Sequence, residues 1–138
     1  MGAARSVRFL TRVDEGVRAL ARRSGRDASS IVNELLDEGL RMRRIPGIAF
    51  GDGGGGRVAR IAGTGVDVWG IARSFRELGD REALANAYQW LSDQQLRAAL
   101  AYAEAYPDEI SRRIQADEEW TPETIWETHP FMRPDWRR

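Results

Sequence analysis

AYQWLSDQQLRAALAYAEAYPDEI, residues 87–110, is a segment with both ends of a helix written into it. Ser92 stands three residues before Gln95, the spacing at which a hydroxyl and a carboxamide can each accept a backbone N–H at a helix start. Leu96, Ala99, Leu100 and Ala103 follow at helical spacing, and Pro107 after Tyr106 cannot continue the hydrogen-bond ladder. The spacing predicts a helix from Ser92 to Tyr106, with Ile110 and Ile114 on a further short amphipathic piece.

The residues just upstream repeat this pattern. Val68, Ile71, Ala72, Phe75 and Leu78 form one apolar stripe, with Asp67 as its cap and Gly79 as its stop. Leu84, Ala87, Tyr88 and Leu91 form the next, starting after Asp80. Three short helices joined by tight turns are what a helix-turn-helix needs. Before them, Ile48 to Phe50 and Val58, Arg60 and Ile61 flank the run GDGGGG (residues 51–56), which predicts a β-hairpin. That run also satisfies the G-x-G-x-x-G pattern of a dinucleotide loop. Such a loop must open directly into a helix, whereas here the strand-like RVARIAG follows. Gly63 and Gly65 in GTGVDVW are read as the turn into the first helix.

At the other end, SVRFL (residues 6–10) alternates as a short strand, with Val7 and Phe9 on one face and Ser6 and Arg8 on the other. Val13, Val17, Leu20 and Ala21 then give a helix, with Thr11 and Asp14 placed as a capping box and Gly25 as its stop. Ile31, Val32, Leu35, Leu36 and Leu40 give a second helix, capped by Asp27 and ending near Arg44. A strand and two short helices cannot enclose a stable core alone, so this head is expected to pair with a second chain. It resembles the ribbon-helix-helix family of small bacterial repressors through the strand order and the GRDASSIV turn. That resemblance implies an antiparallel two-chain ribbon in the DNA major groove. Carried over, Ser6 and Arg8 become base-reading positions, Ala4 a silent third, and Ser29 and Ser30 phosphate contacts at the start of the second helix.

The rear resembles the family of domain of unknown function 433, on RIAGTGVDVWGI, FRELG and the segment quoted first. That family implies a helix-turn-helix-like bundle that tends to pair, and an antitoxin role beside a PIN-like toxin. Asp93, Gln94, Gln95 and Arg97 would form its exposed recognition face. Asp93 would repel phosphate there, which favours a dimerisation or toxin-binding scaffold over a second DNA reader. The last segment, WTPETIWETHPFMRPDWRR, sets Trp120, Trp126, Phe131 and Trp136 among three prolines. Thr121 and Pro122 can start one helical turn, and the later prolines keep the chain extended. Aromatic anchors between helix breakers suit a tail that binds another surface, or one that folds back over its own helices. By the same resemblance an arginine of such a tail reaches the toxin's metal-binding carboxylates, with Arg133, Arg137 and Arg138 as candidates.

Composition narrows the chemistry. All 21 basic residues are arginine, so Schiff-base chemistry is excluded, and there is no cysteine for a disulfide or thiolate metal site. His129 is the one imidazole, and the acidic run Asp117–Glu119 reads as a solvated helix face. No catalytic residues, metal or cofactor are expected. Charge is uneven: residues 1–44 hold ten Arg against six acids, and residues 101–127 hold two against eight. A basic head and an acidic rear fit different partners.

The expected architecture is mainly α, in three parts. A ribbon-helix-helix dimerisation and DNA-binding segment spans 1–45, and a helix-turn-helix-like bundle with a small β-hairpin spans 46–119. A partner-binding tail covers 120–138. The expected function is that of a cytoplasmic antitoxin, a homodimer or larger assembly away from any membrane. Its partners are operator DNA and a cognate PIN-like toxin. A stand-alone dimeric repressor is the alternative.

Overall fold

A computed structural model describes residues 2–137. The chain is mainly helical with one small antiparallel hairpin, and it divides into two compact units, 1–44 and 45–138. No helix among the described residues is long and apolar enough to cross a membrane.

The first unit holds α1 (Thr11–Ser24) and α2 (Ala28–Arg44), packed on each other. Gly25 ends α1 in the left-handed region at φ 67°, where a residue without a Cβ carries no steric cost. The expected Thr11–Asp14 capping box does not form. The N-cap is Leu10 and Thr11 lies within the helix, while Asp14 pairs with Arg18 one turn on at 3.1 Å. Residues 2–10 form no strand, so the ribbon-helix-helix arrangement expected from the sequence is absent from the single chain. The physical reason is that a strand exists only as half of a ladder, and nothing in this unit offers the other half.

Asp27 caps α2 as the sequence indicates. Its carboxylate accepts the Ser30 N–H and the Ser30 hydroxyl, both at 2.9 Å. These bonds, the backbone one foremost, hold the Asp27 carboxyl below its ordinary 3.8. A depressed folded value means the cap contributes fully above pH 3.8 and is lost as the pH falls through the lower folded value. We expect an NMR titration to place the Asp27 carboxyl below 3.8, and Asp27→Ala to remove that part of the acid dependence of α2; a titration at 3.8 overturns it.

The second unit begins with β1 (Ile48–Gly53) and β2 (Gly56–Ile61), paired from Ile48 opposite Ile61 to Gly53 opposite Gly56. The glycine run is therefore a two-residue hairpin turn at Gly54 and Gly55. Of this run only Gly56 has a positive φ, 102°; of the pair after the hairpin, only Gly63 does, at 76°. Gly56→Ala forces an L side chain into that region and is expected to cost about 1–3 kcal/mol in urea unfolding. Gly54→Ala, in open space with no positive φ, is the control and should change far less.

Four helices build on the hairpin: α3 (Val68–Leu78), α4 (Arg81–Ala87), α5 (Asp93–Ala105) and α6 (Pro107–Glu119). Each presents a face at helical spacing to one core. Val68, Ile71 and Ala72 come from α3, Leu96, Ala99 and Tyr102 from α5, and Ile110 and Ile114 from α6. Ile48, Ala59 and Ile61 close the core from the hairpin, and Leu84 from α4. The small residues of α5 let the chain before β1 come close: a Cβ on Gly47 (φ 97°) would stand 3.2 Å from that of Ala98. Helix α6 runs for 13 residues where the sequence indicated only a short piece. It packs against α3 and α5, and that packing carries its polar length.

The capping box of α5 forms as read. The Ser92 hydroxyl accepts the Gln95 N–H at 3.1 Å, and the Gln95 carboxamide accepts the Ser92 N–H at 2.8 Å. Asp80 caps α4 by accepting the Ala83 N–H at 2.8 Å. Asp67 is the N-cap of α3 but makes no side-chain cap bond; its carboxylate pairs instead with Arg60 of β2 at 3.0 Å. Beyond α6, α7 (Pro122–Thr128) starts at Thr121 as indicated. The expected extended chain after it contains two short 3-10 turns, at Pro130–Met132 and Asp135–Arg137.

Candidate functional site

In the head, the side chains expected to read DNA lie on the extended segment before α1. Ser6 and Arg8 are exposed, and so are Val7 and Phe9 on the opposite face of the expected strand. The apolar stripe of α2 is likewise open. Ile31 is buried, yet Leu35, Leu36 and Leu40 are 42%, 60% and 68% exposed. A soluble helix with three exposed leucines on its apolar side has an unfilled packing face. At the start of α2, Ser29 is exposed, and its carbonyl accepts the Asn33 carboxamide at 2.8 Å. Ser30 already donates both its N–H and its hydroxyl to Asp27, so a carboxylate stands where a phosphate was expected.

In the rear unit three of the four expected recognition residues at the start of α5, Asp93, Gln95 and Arg97, are engaged within the fold. Asp93 pairs with Arg97 at 2.8 Å and with Arg81 at 3.5 Å, and Gln95 serves the capping box. Gln94 is exposed beside a shallow hollow at Pro46 and Gly47.

A feature that sequence reasoning missed lies at the hairpin tip. Gly53–Gly55, Val58, Trp69, Arg113, Ala116 and Trp120 line a groove of about 290 Å³. The Arg113 guanidinium donates to the Arg57 carbonyl and lies so close to the turn that a Cβ on Gly55 would stand 2.7 Å from its Nη1. Two carboxylates at the groove are already paired, Asp67 with Arg60 and Asp117 with Arg73. The Arg73 guanidinium also sits over the Trp69 ring, 5.2 Å from its centroid. Residues 57 and 113 are too far apart in sequence for any local pattern to announce this site. The one available signal was that Arg113, Ala116, Asp117 and Trp120 share a helix face.

The tail residues divide among three places. Trp120 is on the groove. Trp126 and Arg133 come together around a second hollow with Glu123, Glu127 and Pro130. Phe131 stacks edge-on against His129 at 5.8 Å and stays 75% exposed, and Trp136 is 76% exposed. None of the four rings enters the buried core of the rear unit. Arg138 and the side chain of Arg137 lie outside the described residues. Among the described residues no three His, Asp or Glu side chains group as a metal site, and Asp117 of the acidic run is paired with Arg73.

The second unit is thus a hairpin-topped helical domain followed by an aromatic arm. Residues 44–103, the hairpin through most of α5, match the family described as a protein of unknown function (DUF433), and this part of the chain is similar to that family. No curated protein and no solved structure matches the chain.

Proposed function

We propose that the chain is the antitoxin of a type II toxin–antitoxin module in the bacterial cytoplasm. Its head pairs with a second copy as a ribbon-helix-helix dimer on operator DNA, and its tail neutralises a PIN-like ribonuclease toxin. The observation that carries the first half is the apolar side of the head left open in one chain: Val7 and Phe9 before α1, and Leu35, Leu36 and Leu40 on α2. Burying one such side chain is worth about 1.5–3 kcal/mol, so two copies that cover each other's faces gain what a single head lacks. Pairing also supplies the missing ladder partner for residues 6–10, and alternation then sets Ser6 and Arg8 on the face opposite Val7 and Phe9. Arginine suits this role because its planar fork takes two acceptors of one guanine edge. Ser29 remains a phosphate contact in this reading, while Ser30 belongs to the cap of α2.

The α4–α5 pair serves as a helix-turn-helix-like scaffold for assembly, with Asp93 and Gln95 held inside its own bonding. In the alternative, a stand-alone repressor, the C-terminal part only oligomerises. The exposed Trp and Phe side chains beyond residue 119 favour the antitoxin, because a repressor has no use for them.

Arg8→Ala tests the head. Operator binding is expected to weaken by about 1–3 kcal/mol at fixed salt, with the dimer intact. An unchanged footprinting titration overturns the ribbon assignment.

A further inference from the structure

The groove at the hairpin tip has an apolar part and a polar one. Trp69, Trp120, Val58 and Ala116 supply apolar lining, while Gly54 and Gly55 contribute backbone without side chains. At about 290 Å³ it lies at the bottom of the range of small-molecule sites, room for one ring system with a short substituent.

Charge decides the substituent. Asp67 and Asp117 are already neutralised by Arg60 and Arg73, and Arg73 also lies over the Trp69 ring, so the chain's own guanidinium holds the place that a cationic ligand needs. Arg113 differs, for it donates to the Arg57 carbonyl and has no carboxylate among the described residues. A guanidinium carries five N–H donors, and the rest remain for an anion. The backbone N–H groups of Gly54 and Gly55 make no hydrogen bond among the described residues either, and Gly55 lies against the guanidinium. The charge to be matched is a single one. A nucleic acid strand carries a charge at every nucleotide and meets Asp117 in the lining with Glu118 and Glu119 behind it.

We propose that the groove binds a small aromatic acid, its ring packed against Trp69 and Trp120 and its carboxylate on the Arg113 guanidinium and the Gly54–Gly55 turn. Such a ligand joins the hairpin to the end of α6. Trp120 is the residue at which α6 gives way to the tail, so occupancy fixes where the tail begins. The site belongs to the rear unit alone and needs neither operator DNA nor a toxin.

The test is an NMR titration of the isotope-labelled full-length chain with indoleacetate as the probe. Saturable shifts of the Gly54 and Gly55 amides and of the Trp69 and Trp120 indole N–H groups are expected. Affinity is expected to be at least tenfold weaker for uncharged indoleacetamide, for cationic tryptamine and for plain acetate, comparisons that need no variant. Arg113→Gln is expected to erase the preference for the acid over the amide. Ala116→Trp, made at an exposed position on α6, is expected to fill the groove and abolish the shifts while amides elsewhere in the rear unit stay in place. The proposal is overturned by the lack of a saturable shift with indoleacetate, by equal affinity for the amide, by an acid preference that survives Arg113→Gln, or by shifts that survive Ala116→Trp. Tighter binding of a thymidine decanucleotide at the same residues overturns it too, and assigns the groove to a nucleic acid strand.

Discussion

If the chain is the antitoxin proposed above, deletion of residues 120–138 is expected to abolish capture of its co-expressed toxin while leaving the rest of the rear unit folded. The folded state survives because every member of the buried core lies between Ile45 and Ile114. What is removed is α7, the two 3-10 turns and rings that are largely solvent-facing, with Trp120, Phe131 and Trp136 at 58%, 75% and 76% exposure. Binding energy concentrates in a few large aromatic anchors, each worth about 2 kcal/mol or more when truncated. Loss of two such anchors weakens capture by roughly 4 kcal/mol, close to three powers of ten. The check is a pull-down with the toxin, beside circular dichroism of the truncated chain. A truncated chain that loses its helical signal and precipitates shows that the rings belong to the fold, and a truncated chain that still captures the toxin overturns the role of the tail. Trp136→Ala refines the result: it removes a ring with no part in the core and should weaken capture without moving the melting temperature.

The parts of the fold legible in the sequence are those with local causes. Ser92 and Gln95 announce the start of α5 because both partners of the box lie within one helical turn. Gly25 and Gly79 announce helix ends because their positive φ, 67° and 85°, suits a residue without a Cβ. The hairpin was legible from its two apolar segments, since any chain that pairs Ile48 with Ile61 must turn at the glycines. Where a second element decides, sequence fails. Asp67 reads as a cap until Arg60 arrives from β2 and takes its carboxylate. The Thr11–Asp14 spacing reads as a box, but the N-cap of α1 falls one residue earlier than the box requires, at Leu10, and Thr11 is already the first helical residue. The strand over 6–10 depends on a ladder partner that one chain does not hold. The groove escaped for the same reason: Arg113 reaches the Arg57 carbonyl 56 residues away, and nothing near either residue in sequence points to the other.

Tyr102→Ala is expected to cost the rear unit about 3–5 kcal/mol, the range for removing a large buried ring. Tyr102 is fully buried on α5 and packs edge-on to Phe50 of β1 at 6.1 Å and against Tyr106 at 4.7 Å. Its hydroxyl donates to the Glu109 carboxylate of α6. One side chain thus ties hairpin, α5 and α6 together, and truncation opens a cavity where all three meet. The carboxylate also loses its phenolic donor, which adds to the loss because bonds to charged groups are worth about 1.5–3 kcal/mol. A unit of this size has roughly 5–14 kcal/mol in total, at about 0.05–0.15 kcal/mol per residue, so the variant sits near its unfolding threshold. Tyr102→Phe separates the two causes: it keeps the ring and removes only the hydroxyl. Urea unfolding should therefore rank wild type above Tyr102→Phe and Tyr102→Phe well above Tyr102→Ala. If Tyr102→Ala costs under about 1.5 kcal/mol, the ring is not the junction of the three elements. If Tyr102→Phe costs as much as Tyr102→Ala, the bond to Glu109, and not the packing, joins α5 to α6.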